Sequence, residues 1–183
     1  SILVRALIDK FPQYYPIFSE RSFTFSKIRQ GNRNPLLYKN VGADGLKTGY
    51  TAAAGYGLAA SAQRSGRRLD LVVNGLNSVN QRSRESQRLL SWGFREFGNY
   101  ALFKAGEQVA DASVWLGSMG TVPLLIEDPL TIIIPRKARR DMKVSVNFQG
   151  PLPAPIAKGQ MVATLRIEAP NMTPIVRPLI AGA

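Results

Sequence analysis

The chain has 183 residues, 45% of them hydrophobic, which is enough for one ordinary core or two small ones and excludes a disordered chain. Its 24 basic and 12 acidic residues give a formal charge of +12 and favour anionic partners of any kind. It has neither cysteine nor histidine, which excludes disulfides and thiolate metal sites and removes the commonest general base.

Ile2, Leu3, Ala6 and Leu7 stand at helical spacing directly after Ser1. The helix they predict ends near Phe11-Pro12, because the residue before a proline is pushed out of the helical region. A start inside an element suggests a processed or cut chain; the alternative is a mature terminus with Ser1 as N-cap. Phe23-Thr24-Phe25 and Leu36-Leu37-Tyr38 read as short strands around the turn-prone residues 30–35. Residues 45–50 predict another strand. Residues 55–63 and 69–73, joined through Ser65-Gly66, predict an antiparallel hairpin. Ser78 with Gln81 three positions on has the spacing of a capping box, and Leu89, Leu90, Gly93 and Phe97 continue at helical intervals, so a helix is expected over residues 79–97.

Beyond Lys104 the texture changes to short β-type runs at residues 122–126, 130–134, 144–148, 161–167 and 175–180, punctuated by Gly and Pro. That pattern predicts a small all-β sandwich or barrel. Residues 1–104 hold 16 basic and 6 acidic side chains, whereas residues 105–183 hold 8 and 6, so the two parts differ in charge as well. The expected division is 1–104 and 105–183, with Ala105-Gly106 in the link. No run of 18 apolar residues is present, so no helix is expected to span a bilayer.

The sharpest local signal is Asp44-Gly45-Leu46-Lys47-Thr48-Gly49-Tyr50-Thr51. A strand-edge Lys-Thr-Gly suits acyl transfer: Lys47 supplies positive charge, Thr48 a hydroxyl for a substrate carboxylate, and Gly49 lets a substrate backbone come close. A peptide could then lie along the strand as an added one. Lys-Thr-Gly is one of three elements of the penicillin-binding and β-lactamase site, beside Ser-x-x-Lys and a Ser-x-Asn type motif.

Around it, Phe23-Thr24-Phe25, Arg29-Gln30-x-Asn32-Arg33-Asn34, Ala54-Gly55-Tyr56, Ala59-Ala60-Ser61-Ala62 and Leu89-Leu90-x-Trp92-Gly93 extend the pattern. Together these resemble the low-molecular-mass penicillin-binding proteins that act as serine-type D-alanyl-D-alanine carboxypeptidases. Val114-Trp115-x-Gly117 and the later strands resemble that family's C-terminal β-domain, so nearly the whole chain is covered. The resemblance implies an α+β fold: part of a β-lactamase/transpeptidase-like antiparallel sheet with packed helices, then a small β-sandwich. It implies that Lys47, Thr48 and Gly49 line the catalytic cleft, that Tyr50 gives its backbone N–H to the oxyanion hole, and that Arg82 helps hold the terminal carboxylate of a peptidoglycan stem peptide. Tyr50 stands where relatives often carry histidine; a backbone role survives that change. β-Lactams would be trapped by the same site, and no metal or organic cofactor is implied.

The family's nucleophile sits in Ser-x-x-Lys, and no serine here has lysine three residues later. Ser78-Val79-Asn80 and Ser145-Val146-Asn147 spell Ser-x-Asn but follow Lys-Thr-Gly, the reverse of the family order, and read as coincidences. The nucleophile and middle motif are therefore expected in an upstream fragment of the same protein, and this chain alone is expected to be inactive. The family's amphipathic C-terminal membrane anchor has no counterpart before Ala183, since residues 173–180 read as a strand. A periplasmic location follows from the resemblance, peripheral on the outer face of the inner membrane where an anchor exists. The basic run Arg136-Lys137-Ala138-Arg139-Arg140 is expected at a hairpin tip, either as a solvated turn or as a contact for anionic lipid or an acidic partner. Nucleic acid is not expected there, because no aromatic residues are interleaved with the charges. Two other readings stay open: a class A β-lactamase relative, disfavoured by the trailing β-domain, and a non-enzymatic wall-binding or scaffolding module.

Overall fold

A computed structural model describes residues 2–182. It divides into two compact units, Ser1–Glu96 and Phe97–Ala183. The proposed Ser1 cap lies outside the described residues.

The first unit opens with helix α1 (Ile2–Lys10) and a 3-10 turn (Tyr15–Ser19) that carries Pro16 at its start, where a fixed φ suits a helical first turn. Strands β1 (Ser22–Phe25) and β2 (Ile28–Gly31) then form an exposed hairpin. Ser26 and Lys27 at its tip both have positive φ, the requirement of a two-residue turn that follows strand twist. The partner of Phe23–Phe25 is thus Ile28–Gly31, and not residues 36–38, which form a second 3-10 turn (Pro35–Tyr38). The cause is local: Pro35 is poor as a strand donor, and the Asn34 side chain accepts a hydrogen bond from the Leu36 N–H and caps the turn.

Strands β3 (Ala43–Thr51), β4 (Gly55–Arg64) and β5 (Arg67–Leu76) make an antiparallel sheet in the order β3-β4-β5. Ser65 and Gly66, both at positive φ, close the β4–β5 hairpin as a two-residue turn. Helix α2 (Val79–Glu96) follows, with the Ser78 Oγ accepting from the Gln81 N–H and the Gln81 side chain reaching back to the Asn77 N–H. The alternation of β4 decides what packs where. Leu58, Ala60 and Ala62 join Leu69, Leu71 and Val73 of β5 under Leu90 and Phe94 of α2, while Ala59 joins Leu46, Val4, Leu7 and Tyr15 on the α1 side. Small residues along β4 let helical elements approach both faces of one sheet.

The second unit is built of strands β6 (Phe97–Phe103), β7 (Gln108–Trp115), β8 (Thr121–Leu125), β9 (Leu130–Pro135), β10 (Lys143–Asn147), β11 (Leu152–Pro153), β12 (Met161–Glu168) and β13 (Ile175–Ala181). A sheet ordered β10-β12-β13-β8-β7-β11 packs with the two-stranded sheet β6-β9. Leu130, Ile132 and Ile134 of β9 alternate inward and share a core with Leu124, Leu165, Ile167 and Leu179, the period of two expected of a sandwich. The second unit starts at Phe97, because β6 pairs along its length with β9. The basic run is not a hairpin tip. It forms a 3-10 turn (Arg136–Asp141) joining β9 to β10, which belong to different sheets, with the Arg139 guanidinium 4.4 Å from the Tyr100 ring centroid.

Candidate active site

Lys47, Thr48 and Gly49 lie in the middle of β3, the edge strand of its sheet, so one side of their backbone faces no strand among the described residues. The Lys47 side chain is exposed, with Nζ 3.1 Å from the Thr48 carbonyl oxygen. Thr48 is half-buried, and no hydrogen bond engages its hydroxyl among the described residues. A Cβ added at Gly49 would meet nothing within 4 Å, so the strand runs beside open space where a ligand backbone could approach. A groove of about 410 Å³ is lined by Lys47, Thr48, Gly49 and Tyr50, with Ala59 and Val72 across the sheet.

Behind Gly49 stands Arg82, in the first turn of α2. It is only 6% exposed, yet the one hydrogen bond its side chain makes among the described residues, from Nη1 to the Gly49 carbonyl, is long at 3.5 Å, and its buried Nε has no partner. Burial pushes its guanidinium below the ordinary arginine range, partly offset by Tyr56, whose ring centroid lies 5.6 Å from Cζ. Tyr56 pairs across the strands with Tyr50, their ring centroids 4.4 Å apart, and Tyr50 is 60% exposed. Ser86, one helical turn beyond Arg82, also buries a hydroxyl without a partner. A buried cation with an unpartnered Nε beside an open strand edge has a donor left over that an anion could take.

The inner end of β3 is held by a cluster in which Tyr15 and Arg68 belong to no motif. Both Nη atoms of Arg68 grip the Asp44 carboxylate, at 2.8 and 2.7 Å, and the Tyr15 hydroxyl donates to Asp44 Oδ1 at 2.8 Å. Arg68 also donates to Ser61 Oγ, whose own proton goes to Asp70. Burial, reinforced by the hydrogen bond to Asp44, pushes the Tyr15 phenol up to about 12. Asn34, 1% exposed, donates to the Gly45 carbonyl at 2.8 Å while its oxygen accepts from Leu36 N–H. Asp44 and Asn34 are in the motif-bearing stretches, but the Asp44 partner Arg68 lies beyond the whole β4 strand and carries no local signal.

Lys47, Thr48, Gly49 and Tyr50 line one groove along β3, and Arg82 reaches that strand through the Gly49 carbonyl without lining the groove. It gives the two Ser-x-Asn triplets other employment: Ser78 caps α2, and Ser145–Asn147 lies within β10 of the other unit.

Two family profiles cover the chain. One described as D-alanyl-D-alanine carboxypeptidase matches residues 1–78, and one described as the C-terminal domain of penicillin-binding protein 5 matches residues 97–183. The chain belongs to the D-alanyl-D-alanine carboxypeptidases among the low-molecular-mass penicillin-binding proteins. Among curated relatives of this carboxypeptidase family, DacC of Escherichia coli (strain K12) is 41% identical over 182 residues, covering 98% of this chain and 46% of its own length. DacF of Bacillus subtilis (strain 168) is 31% identical over 159 residues, covering 86% of this chain and 41% of its own. Penicillin-binding protein 5 of Haemophilus influenzae superposes with a TM-score of 0.81 at 35% identity, over 99% of this chain and 54% of that one. The chain thus spans about half the length of the carboxypeptidases it matches. No helix among its described residues is long and apolar enough to cross a membrane.

Proposed function

We propose that the chain supplies one wall of the active site of a serine D-alanyl-D-alanine carboxypeptidase, which removes the terminal D-alanine of peptidoglycan stem peptides and is acylated by penicillin. The observation that carries this reading is the under-partnered, buried Arg82 beside the free edge at Lys47-Thr48-Gly49. The family membership and the relatives' names support it.

In this reading the stem peptide lies antiparallel to β3 along its free edge, with Gly49 leaving room for its backbone. Its terminal carboxylate is held by the Thr48 hydroxyl and by the Arg82 donors, and Lys47 adds positive charge to the cleft. The Tyr50 N–H serves the oxyanion hole. The Ser-x-x-Lys nucleophile comes from upstream polypeptide, its lysine amine standing in for histidine as base. The serine Oγ attacks the penultimate D-alanine carbonyl, the amide bond breaks, and D-alanine leaves with the proton. Water then cleaves the ester and restores the hydroxyl. This chain by itself is inactive. The protein works in the periplasm, where its substrate lies.

Labelling by a fluorescent penicillin tests the proposal. The full-length protein should label, Lys47→Ala should lower the labelling rate at least 100-fold, and this chain alone should not label at all. A folded full-length protein that never labels would sink the reading.

A further inference from the structure

Arg82 is 6% exposed and its guanidinium has no acidic partner among the described residues. Burying a cation without a counter-ion is costly, so something else must hold it in place. The Gly49 carbonyl at 3.5 Å is too distant to do so alone. What lies against the cation is the face of Tyr56, 5.6 Å from Cζ to ring centroid. The Tyr56 ring is itself fixed by Tyr50, its cross-strand neighbour, at 4.4 Å and 37°.

An aromatic face attracts a guanidinium through its quadrupole but accepts no in-plane N–H. A carboxylate in the same place would occupy two donors and neutralise the charge. Tyr56 therefore anchors the cation while leaving its donors free, which an acid could not do.

Resting on the proposed role of Arg82, we infer that Tyr56 is a positioning residue that sets the enzyme's preference for ligands with a free terminal carboxylate, and that Tyr50 braces its ring. Histidine-free, this chain uses Tyr50 as an aromatic buttress and not as a proton donor or acceptor. The hydroxyl of Tyr56 is dispensable for this task, because the attraction comes from the ring face.

The test uses the full-length protein and two acylating probes, benzylpenicillin and its methyl ester, which differ in the carboxylate alone. Tyr56→Leu should lower the acid-over-ester ratio of acylation rates about tenfold, equivalent to about 1.4 kcal/mol, with the ester rate within about twofold of wild type. Tyr56→Phe should restore the ratio. An equal loss for both probes in Tyr56→Leu would mean that Tyr56 only supports the fold, and an unchanged ratio would remove it from the site; either overturns the inference. Arg82→Gln separates the two layers. If it leaves the ratio unchanged, the carboxylate role of Arg82 itself fails, whereas a collapsed ratio in Arg82→Gln with a normal one in Tyr56→Leu rejects Tyr56 alone.

Discussion

Arg68 on β5 closes both ends of its guanidinium on the Asp44 carboxylate, at 2.8 and 2.7 Å, across the intervening strand β4. Asp44 lies three residues before Lys47, so this pair fixes the inner end of the strand whose outer part carries the site. Bidentate, half-buried pairs are worth more than exposed ones, and removing one partner strands the other. Arg68→Met should therefore cost on the order of 1–3 kcal/mol and lower the melting midpoint of the chain by several degrees. Thermal melting followed by circular dichroism checks this, and an unshifted midpoint would show that Asp44 is held by Tyr15 alone.

Tyr15 makes the same cluster sensitive to alkali. Its phenol is raised from 10.0 to about 12, first by burial and then by its hydrogen bond to Asp44. A raised value means that the fold prefers the protonated phenol. The stabilisation is complete below about pH 10, where the free phenol titrates, and disappears as pH climbs towards 12. Tyr15→Phe should cost about 1 kcal/mol at pH 8 and should flatten the stability profile between pH 10 and 12. Urea unfolding of both proteins across that range measures the difference. Parallel curves would mean that Tyr15 does not carry the alkaline loss.

What could be read in advance was whatever a short window of sequence encodes. The capping box at Ser78 and Gln81, the Ser65-Gly66 turn and the β-type runs that became β9 and β12 each depend on neighbours within a few positions. The strand that holds Lys47, Thr48 and Gly49 was legible for the same reason. Residues 36–38 were not, because Leu-Leu-Tyr is compatible with a strand until the Asn34 cap and Pro35 are weighed against it. Arg68 was illegible for a different reason: its role depends on which strand β5 lies beside and in which register, a tertiary fact. Nor could the sequence tell that the Tyr50 and Tyr56 rings meet, since their pairing follows from a register set by the β3–β4 turn.

Asn34 ties two elements together, and its substitution should show it. The side chain is buried, caps the 3-10 turn through Leu36 and bonds the Gly45 carbonyl of β3. Asn34→Ala removes both bonds and leaves a buried carbonyl unsatisfied, a loss of about 2–3 kcal/mol. Asn34→Asp keeps the cap but replaces the donor to Gly45 with a negative charge, so it should be the more damaging of the two. The ranking of their unfolding midpoints in urea decides the matter; an Asp variant as stable as wild type would contradict the bond to Gly45.

Arg82 should behave in the opposite way to Arg68. It spends burial without an ion pair, and such groups contribute little to stability or oppose it. Arg82→Met should leave the unfolding free energy within about 1 kcal/mol of wild type, or raise it. A large fall would show that Arg82 is a structural residue.

Gly49 separates ligand space from folding space. A methyl group there meets no atom within 4 Å, and its backbone needs no positive φ, so Gly49→Ala should leave the fold unharmed and slightly restrict the unfolded chain. The same methyl group would project into the gap that the proposed substrate backbone must enter. In the full-length protein, Gly49→Ala should therefore reduce the rate of penicillin acylation at least tenfold while the melting midpoint stays level or rises. The contrast matters more than either number, because a variant that lost acylation through misfolding would lose its midpoint too. Wild-type acylation in a stable Gly49→Ala protein would mean that ligands do not lie against β3, and the strand-edge geometry would have to serve something other than acyl transfer.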